Sequence, residues 1–210
     1  VSSSSLSVRI RLLRLVIAWS LVALGVSLLL HAKLGVAPND VMNTGFSRTV
    51  GLSFGTWFII LGMGTFVIGL LLRAPWGFGT IAGSFAIGTM IDPLVRVVPN
   101  VDHLALRLVF MVLGVVIIAA SICVVISSGF GAGPMEMVML GLIRHGMGVV
   151  PARLLTDGVP FAVGLALGGS FGVGTLLFVL TMGKLVKFGL ARLGYTPPHE
   201  REATMAVAFE

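Results

Sequence analysis

Residues 107–128 read RLVFMVLGVVIIAASICVVISS. After Arg107 no charged residue interrupts the run. A helix of this composition is apolar on every face, whereas a helix on the surface of a soluble domain keeps a polar stripe. The run is also long enough to cross hydrocarbon, which takes roughly 17–25 apolar residues. A barrel strand would alternate in polarity and stop after about ten residues. This stretch therefore places the chain in lipid, as helices.

Comparable runs lie near 13–33, 53–72, 78–97, 150–168 and 173–191, so about six spans are expected. Composition agrees. The chain is 57% hydrophobic and 10% charged, against about 25% charged in soluble domains. With a mean hydropathy of +1.08, too few polar residues remain to cover a water-facing surface. The serine-rich start, Val1 to Ser7, precedes Arg9, Arg11 and Arg14 and looks like the beginning of a signal peptide. The following run is long and no small-x-small site closes it, so it reads as a retained first span.

The net charge of +6 does not indicate nucleic acid. Basic residues cluster at the ends of apolar runs, where they set orientation. With six spans, Arg9, Arg11, Arg14, Arg73, Arg144, Lys184, Lys187, Arg192 and Arg201 share one side. Lys33, Arg48, Arg96 and Arg107 share the other. The excess predicts both termini in the cytoplasm. A single cysteine, Cys123, allows no internal disulfide and no cysteine-rich metal site. The four histidines lack metal-ligand spacing, and no cofactor motif is visible. HExxH does not occur and no Cys/His pair suits a catalytic site within the membrane, so no enzyme is expected.

Two intervals differ from the spans: GVAPNDVMNTGFSRTV from Gly35 and GFGAGPMEMVMLGLIRHGMG from Gly129. Each opens on a Gly/Pro break and then reads as a short helix. Asn39 or Asp40 is expected to cap the first, and Pro134 to occupy the first turn of the second. Both are too short to span, so interfacial and re-entrant placements stay open. They also belong to an internal repeat with a period near 96. Arg11 recurs as Arg107, Gly35 as Gly131, Pro38 as Pro134, Asp40 as Glu136, Gly45 as Gly141 and Arg48 as Arg144. After small slips, Gly51 matches Gly148, Gly69 matches Gly164, and Gly88 matches Gly183. The string Gly77-Phe78-Gly79-Thr80 likewise matches Gly172-Val173-Gly174-Thr175.

Three spans per repeat force the second copy to insert upside down relative to the first. The expected fold is thus an all-α polytopic membrane protein. It has two inverted three-helix repeats, each with a short broken or re-entrant helix. The divisions are a cytoplasmic segment 1–12, a first repeat 13–97, a linker 98–106, a second repeat 107–192 and a flexible tail 193–210. Inverted repeats place their paired broken segments face to face, where transporters bind solutes. The alternative is that the duplication serves packing alone.

Charged residues inside the spans are candidate pathway groups, because each costs at least about 2.5–3.5 kcal/mol on insertion scales. Arg153 and Asp157, four apart, can pair on one helix face. The pair is read either as an ion relay or as a packing lock. Asp40, Asn39 and Glu136 sit at the starts of the short helices, where the helix dipole favours a carboxylate, the alternative being cation or proton binding in a midplane cavity. Asp92 ends the third span and is matched by Lys187 in the second repeat. Arg48 and Arg144 are expected to meet a negative helix end or lipid headgroups, the alternative being an anion-binding role.

The strings LGVAPNDVMNTGFSRTVGLSFGT, GFGT, GTMID and RLLTDGVPFAVGLALGGSFGVGT resemble the YczE/YitT-type bacterial membrane proteins, from about Arg11 to Arg192. That resemblance implies a bacterial cytoplasmic membrane location and no particular activity. The expected partners are the lipid bilayer and a small solute or ion, with a homodimer as the assembly considered. The expected function is a transporter or channel with its site between the repeats. The alternative is a non-transporting subunit that assembles or regulates another membrane complex.

Overall fold

The computed structural model describes residues 8–128, 130 and 133–193, and these form eight helices. In order they are α1 (Val8–Ala32), α2 (Pro38–Val50), α3 (Phe54–Leu71), α4 (Phe78–Val97), α5 (Leu104–Ser128), α6 (Pro134–Arg144), α7 (Val149–Ala166) and α8 (Val173–Arg192). No strand occurs among the described residues. The expected tail and the serine-rich start lie outside them, as does Gly131. Five helices, α1, α3, α4, α5 and α8, are long and apolar enough to cross a membrane. The run expected over 150–168 forms α7, with Arg153 and Asp157 in its first half. The outer surface is apolar: Leu71, Val97, Leu154, Leu176, Leu180 and Phe188 are all exposed. Water would penalise such a surface, whereas hydrocarbon accepts it.

The axis of the bundle is the antiparallel pair α1 and α5. Their backbones meet at a glycine crossing, where a Cβ on Gly25 would stand 3.0 Å from the Gly114 carbonyl and one on Gly114 would stand 2.9 Å from the Gly25 carbonyl. Without a hydrophobic drive between helices in lipid, such close approach supplies the dispersion contact. The buried core runs along this seam through Ala23, Val26, Leu29, Met111, Val115 and Ile118. Both ends are tied by arginine. Arg107 donates to the carbonyls of Ala32 and Lys33 at 2.7 Å each. Arg11, at the other end, donates to Ser128 O at 3.2 Å and 2.5 Å.

Two further helices, α4 and α8, hang directly on this pair. The start of α8 is held at the end of α1, where Gly174 N donates to Leu34 O at 2.7 Å. The start of α4 is held at the end of α5, where Gly79 N donates to Phe130 O at 2.9 Å. Each start is the same tight turn: Thr80 N donates to Gly77 O and Thr175 N to Gly172 O, both at 3.0 Å. The backbone needs glycine here, since a Cβ on Gly35 or Gly172 would collide with the facing chain.

The short helices start differently from expectation. Neither Asn39 nor Asp40 caps α2. Ala37 is its N-cap, without a side-chain bond, and Pro38 takes the first helical position. Proline has no N–H to leave unsatisfied there, so the polar pair falls inside the first turn. Asp40 is buried and accepts a bond from Asn43 Nδ2 at 3.0 Å. Pro134 does stand in the first turn of α6, behind the N-cap Gly133.

The glycine crossing is the packing feature most exposed to mutation. Gly114→Leu is expected to push α1 off α5 and destabilise the protein by about 1–3 kcal/mol, the usual cost of overpacking. A drop in the thermal unfolding midpoint in detergent would register this, and an unchanged midpoint would show that the crossing is slack.

Candidate functional site

A cavity of about 840 Å³ opens at the end of the bundle where α1 and α4 finish and α3 begins. Its wall draws on both halves of the chain. Leu30, His31 and Lys33 come from the end of α1, Thr44, Ser47 and Arg48 from α2, and Ser53 and Phe54 from the start of α3. Asp92, Val95, Arg96 and Asn100 come from the end of α4 and the α4–α5 connection, and Gly169, Ser170 and Phe171 from the α7–α8 connection.

Local structure fixes these side chains. Ser53 caps α3 by accepting from Thr56 N at 3.2 Å. It also donates to Asp92 Oδ2 at 2.5 Å, while Gly55 N donates to Asp92 Oδ1 at 2.8 Å. The Asp92 carboxylate therefore seals the end of α4 to the positive end of α3, a favourable place for a negative charge. Close backbone packing of Gly55 on Gly88 brings the two helices together behind it. Arg48 reaches out of α2 to Gly168 O at 2.5 Å and Ser170 Oγ at 2.7 Å. The Gly168 carbonyl lies just past the end of α7, so Arg48 does meet a negative helix end, but one belonging to another helix. Ser170 N in turn donates to Thr44 Oγ1 at 2.8 Å. His31 is buried, with Nδ1 at 2.9 Å from Ser27 O. A carbonyl only accepts, so the proton sits on Nδ1.

Of the residues singled out in the sequence, Arg48 and Asp92 line this cavity. Asp40 is buried nearby at the start of α2, and Asn39 is half-buried beside it. The others lie elsewhere. Glu136 is half-buried in the first turn of α6, and Arg144 donates to Arg73 O at 2.9 Å at the opposite end of the bundle. Arg153 and Asp157 form the expected pair, with Nε to Oδ2 at 2.7 Å, but on an exposed flank of α7. Lys187 is exposed on α8. The cavity residues that sequence reasoning does not single out are Lys33, Arg96, Ser53 and Ser170. The available signal is the grouping of Lys33, Arg48, Arg96 and Arg107 on one membrane side. Three of them line the cavity, and the fourth binds the backbone of Lys33. Among the described residues no cluster of three metal-binding side chains is present.

A bundle of apolar helices with a polar cavity at one end defines a multi-pass α-helical membrane protein. The chain belongs to the family of unknown function DUF6198, which matches residues 9–190. It is similar to the uncharacterized membrane protein YczE of Bacillus subtilis (strain 168), with 30% identity over 81% of this chain and 80% of that protein. It is also similar to the uncharacterized protein YyaS of the same organism, at 27% identity over 79% and 85% of the two chains. An uncharacterized protein of Haemophilus influenzae (strain ATCC 51907 / DSM 11121 / KW20 / Rd) is 24% identical over 87% and 86%. No solved structure matches.

The Asp92 seal is testable. Asp92→Ala leaves the Gly55 N–H and the Ser53 hydroxyl without their acceptor and should cost about 1–3 kcal/mol. Asp92→Asn keeps one acceptor and should lose less. Chemical denaturation in detergent would order the three proteins, and equal losses for both variants would refute the assigned bonding.

Proposed function

We propose that this protein carries a small solute or ion across a bacterial cytoplasmic membrane, through a site between two inverted three-helix repeats. One observation carries the reading: the contacts between the halves occur in pairs, each member the counterpart of the other 95 or 96 residues along. Arg11 on Ser128 pairs with Arg107 on Ala32. Gly79 on Phe130 pairs with Gly174 on Leu34. Arg48 on Gly168 pairs with Arg144 on Arg73. Within each half, the edge-to-face rings Phe66 and Trp76 likewise have their counterpart in Phe161 and Phe171. Gly69 against Met137 pairs with Gly164 against Val41 and Met42.

Such reciprocity is what a two-fold axis between oppositely inserted copies requires. It supports α7 as the sixth span, counterpart of α3, and α2 and α6 as paired short helices at opposite ends. In this reading the cavity, walled by both repeats, is the solute site. Rocking of one repeat against the other exposes it to either side. Both termini are cytoplasmic, from the basic residues at that end. No enzymatic step is assigned.

A second reading has its own observation. The Arg153–Asp157 pair is exposed on α7, and charges facing hydrocarbon are costly. Cover by another membrane protein, or by a second copy of this chain, would offset that cost. It would make the protein a partner subunit.

Uptake into proteoliposomes discriminates the two. Purified wild type is expected to move at least one member of a panel of small ions and organic acids. Arg48→Gln should reduce the rate about tenfold, the effect of losing roughly one charge-assisted bond, and Asp157→Asn should retain it. Folded protein that moves nothing over the panel, yet copurifies with one membrane partner, would replace the transport reading with the second.

A further inference from the structure

We propose that the cavity at the end of α1 and α4 binds a small oxyanion, a carboxylate or phosphate group, held by Arg48, Arg96 and Lys33. This assigns a substrate class to the transport site and rests on that reading for its purpose.

The cavity wall is richer in positive than in negative charge, with three cationic side chains and one carboxylate. The carboxylate is already engaged, because both oxygens of Asp92 accept bonds from the start of α3. A cation entering the cavity would meet one carboxylate, already bonded to α3, against three positive side chains. An anion would find several donors. Two bonds fix the Arg48 guanidinium, which leaves further N–H groups of its five to face the cavity. The Ser170 hydroxyl accepts one of those bonds, so its own proton is free to donate. Arg96, in the last turn of α4, and Lys33, just past α1, bring charge from two further elements. An Arg fork suits the planar or tetrahedral oxygens of carboxylate and phosphate. The volume of about 840 Å³ lies within the range of small-molecule sites, about 300–1,000 Å³.

The repeat sharpens the inference. Ninety-five residues on, Asp92 and Arg96 are replaced by Lys187 and Ala191. The arrangement of sealed carboxylate and spare guanidinium is thus written into one end of the protein only.

A phosphate group has two sources, a soluble anion or a phospholipid headgroup, and the test separates them. The full chain, purified in neutral detergent, is titrated with inorganic phosphate, with succinate and with dihexanoyl phosphatidylglycerol. Sodium chloride at equal ionic strength is the control, and the thermal unfolding midpoint is read. A saturable rise is expected. Arg96→Gln and Lys33→Asn should each weaken it about tenfold while keeping the unliganded midpoint. Neither residue ties helices together as Arg48 does, and asparagine tolerates the left-handed backbone of Lys33, at φ 52°. A rise with phosphate or succinate assigns a soluble anion, and a rise with the lipid alone assigns a headgroup. No saturable rise in any arm, or a rise untouched by both variants, overturns the proposal. Binding without flux would keep this inference and remove the transport reading. Flux without oxyanion binding would do the reverse.

Discussion

Hydrocarbon offers no water to a peptide group, so every backbone N–H and C=O within it must find a protein partner. Helices solve this along their length and fail at their ends, where four carbonyls or four amides lack intrahelical partners. Here the ends of the two central helices are closed by each other's arginines. Arg107 covers the last carbonyls of α1, and Arg11 covers that of α5. Each guanidinium places positive charge at the negative end of a helix dipole. The α1–α5 axis is thereby fixed in register at both ends, and α4 and α8 are positioned from it.

Close packing has its origin in the same solvent. Lipid tails compete equally for leucine and valine, so helix contact must come from shape. Glycine supplies it where backbones cross, at Gly25 with Gly114, at Gly55 with Gly88, and where Gly164 and Gly169 meet α2. The last of these seats a short helix against the end of α7. Arg48 then extends across that contact to the α7–α8 connection. The cavity exists because α2 is too short to cross and stops beside the ends of longer helices. It leaves a recess lined by charged and hydroxyl side chains together with Leu30, Phe54, Val95 and Phe171.

Polar groups in the recess are divided between structure and chemistry. Asp92, Ser53 and Thr44 are spent on holding helices together. Lys33, Arg96 and part of Arg48 face the open volume. A carboxylate in a transport protein invites assignment to a proton or ion pathway. At Asp92 the bonding to the start of α3 accounts for the residue, and the unspent charge is positive.

Much of this was legible in one dimension. The membrane class and the helical spans come from long charge-poor runs such as residues 107–128, because hydrophobic length is a local property. The two short helices are visible in their Gly/Pro breaks, and the repeat is visible in the spacing of Arg11, Pro38 and Arg48 with Arg107, Pro134 and Arg144. The grouping of Lys33, Arg48, Arg96 and Arg107 on one side was legible as well, since depth in a membrane is counted from span to span. The site was not. Sequence shows that Asp157 sits in an apolar run, but not that its helix turns it to the outer flank. Nor does it show that Asp92 meets Ser53 and Gly55, or that Ser170 comes to Arg48 across 122 positions. Which face of a helix is covered, and by what, depends on rotation about its axis. In a chain apolar on all sides no amphipathic stripe records that rotation, so only tertiary packing decides it.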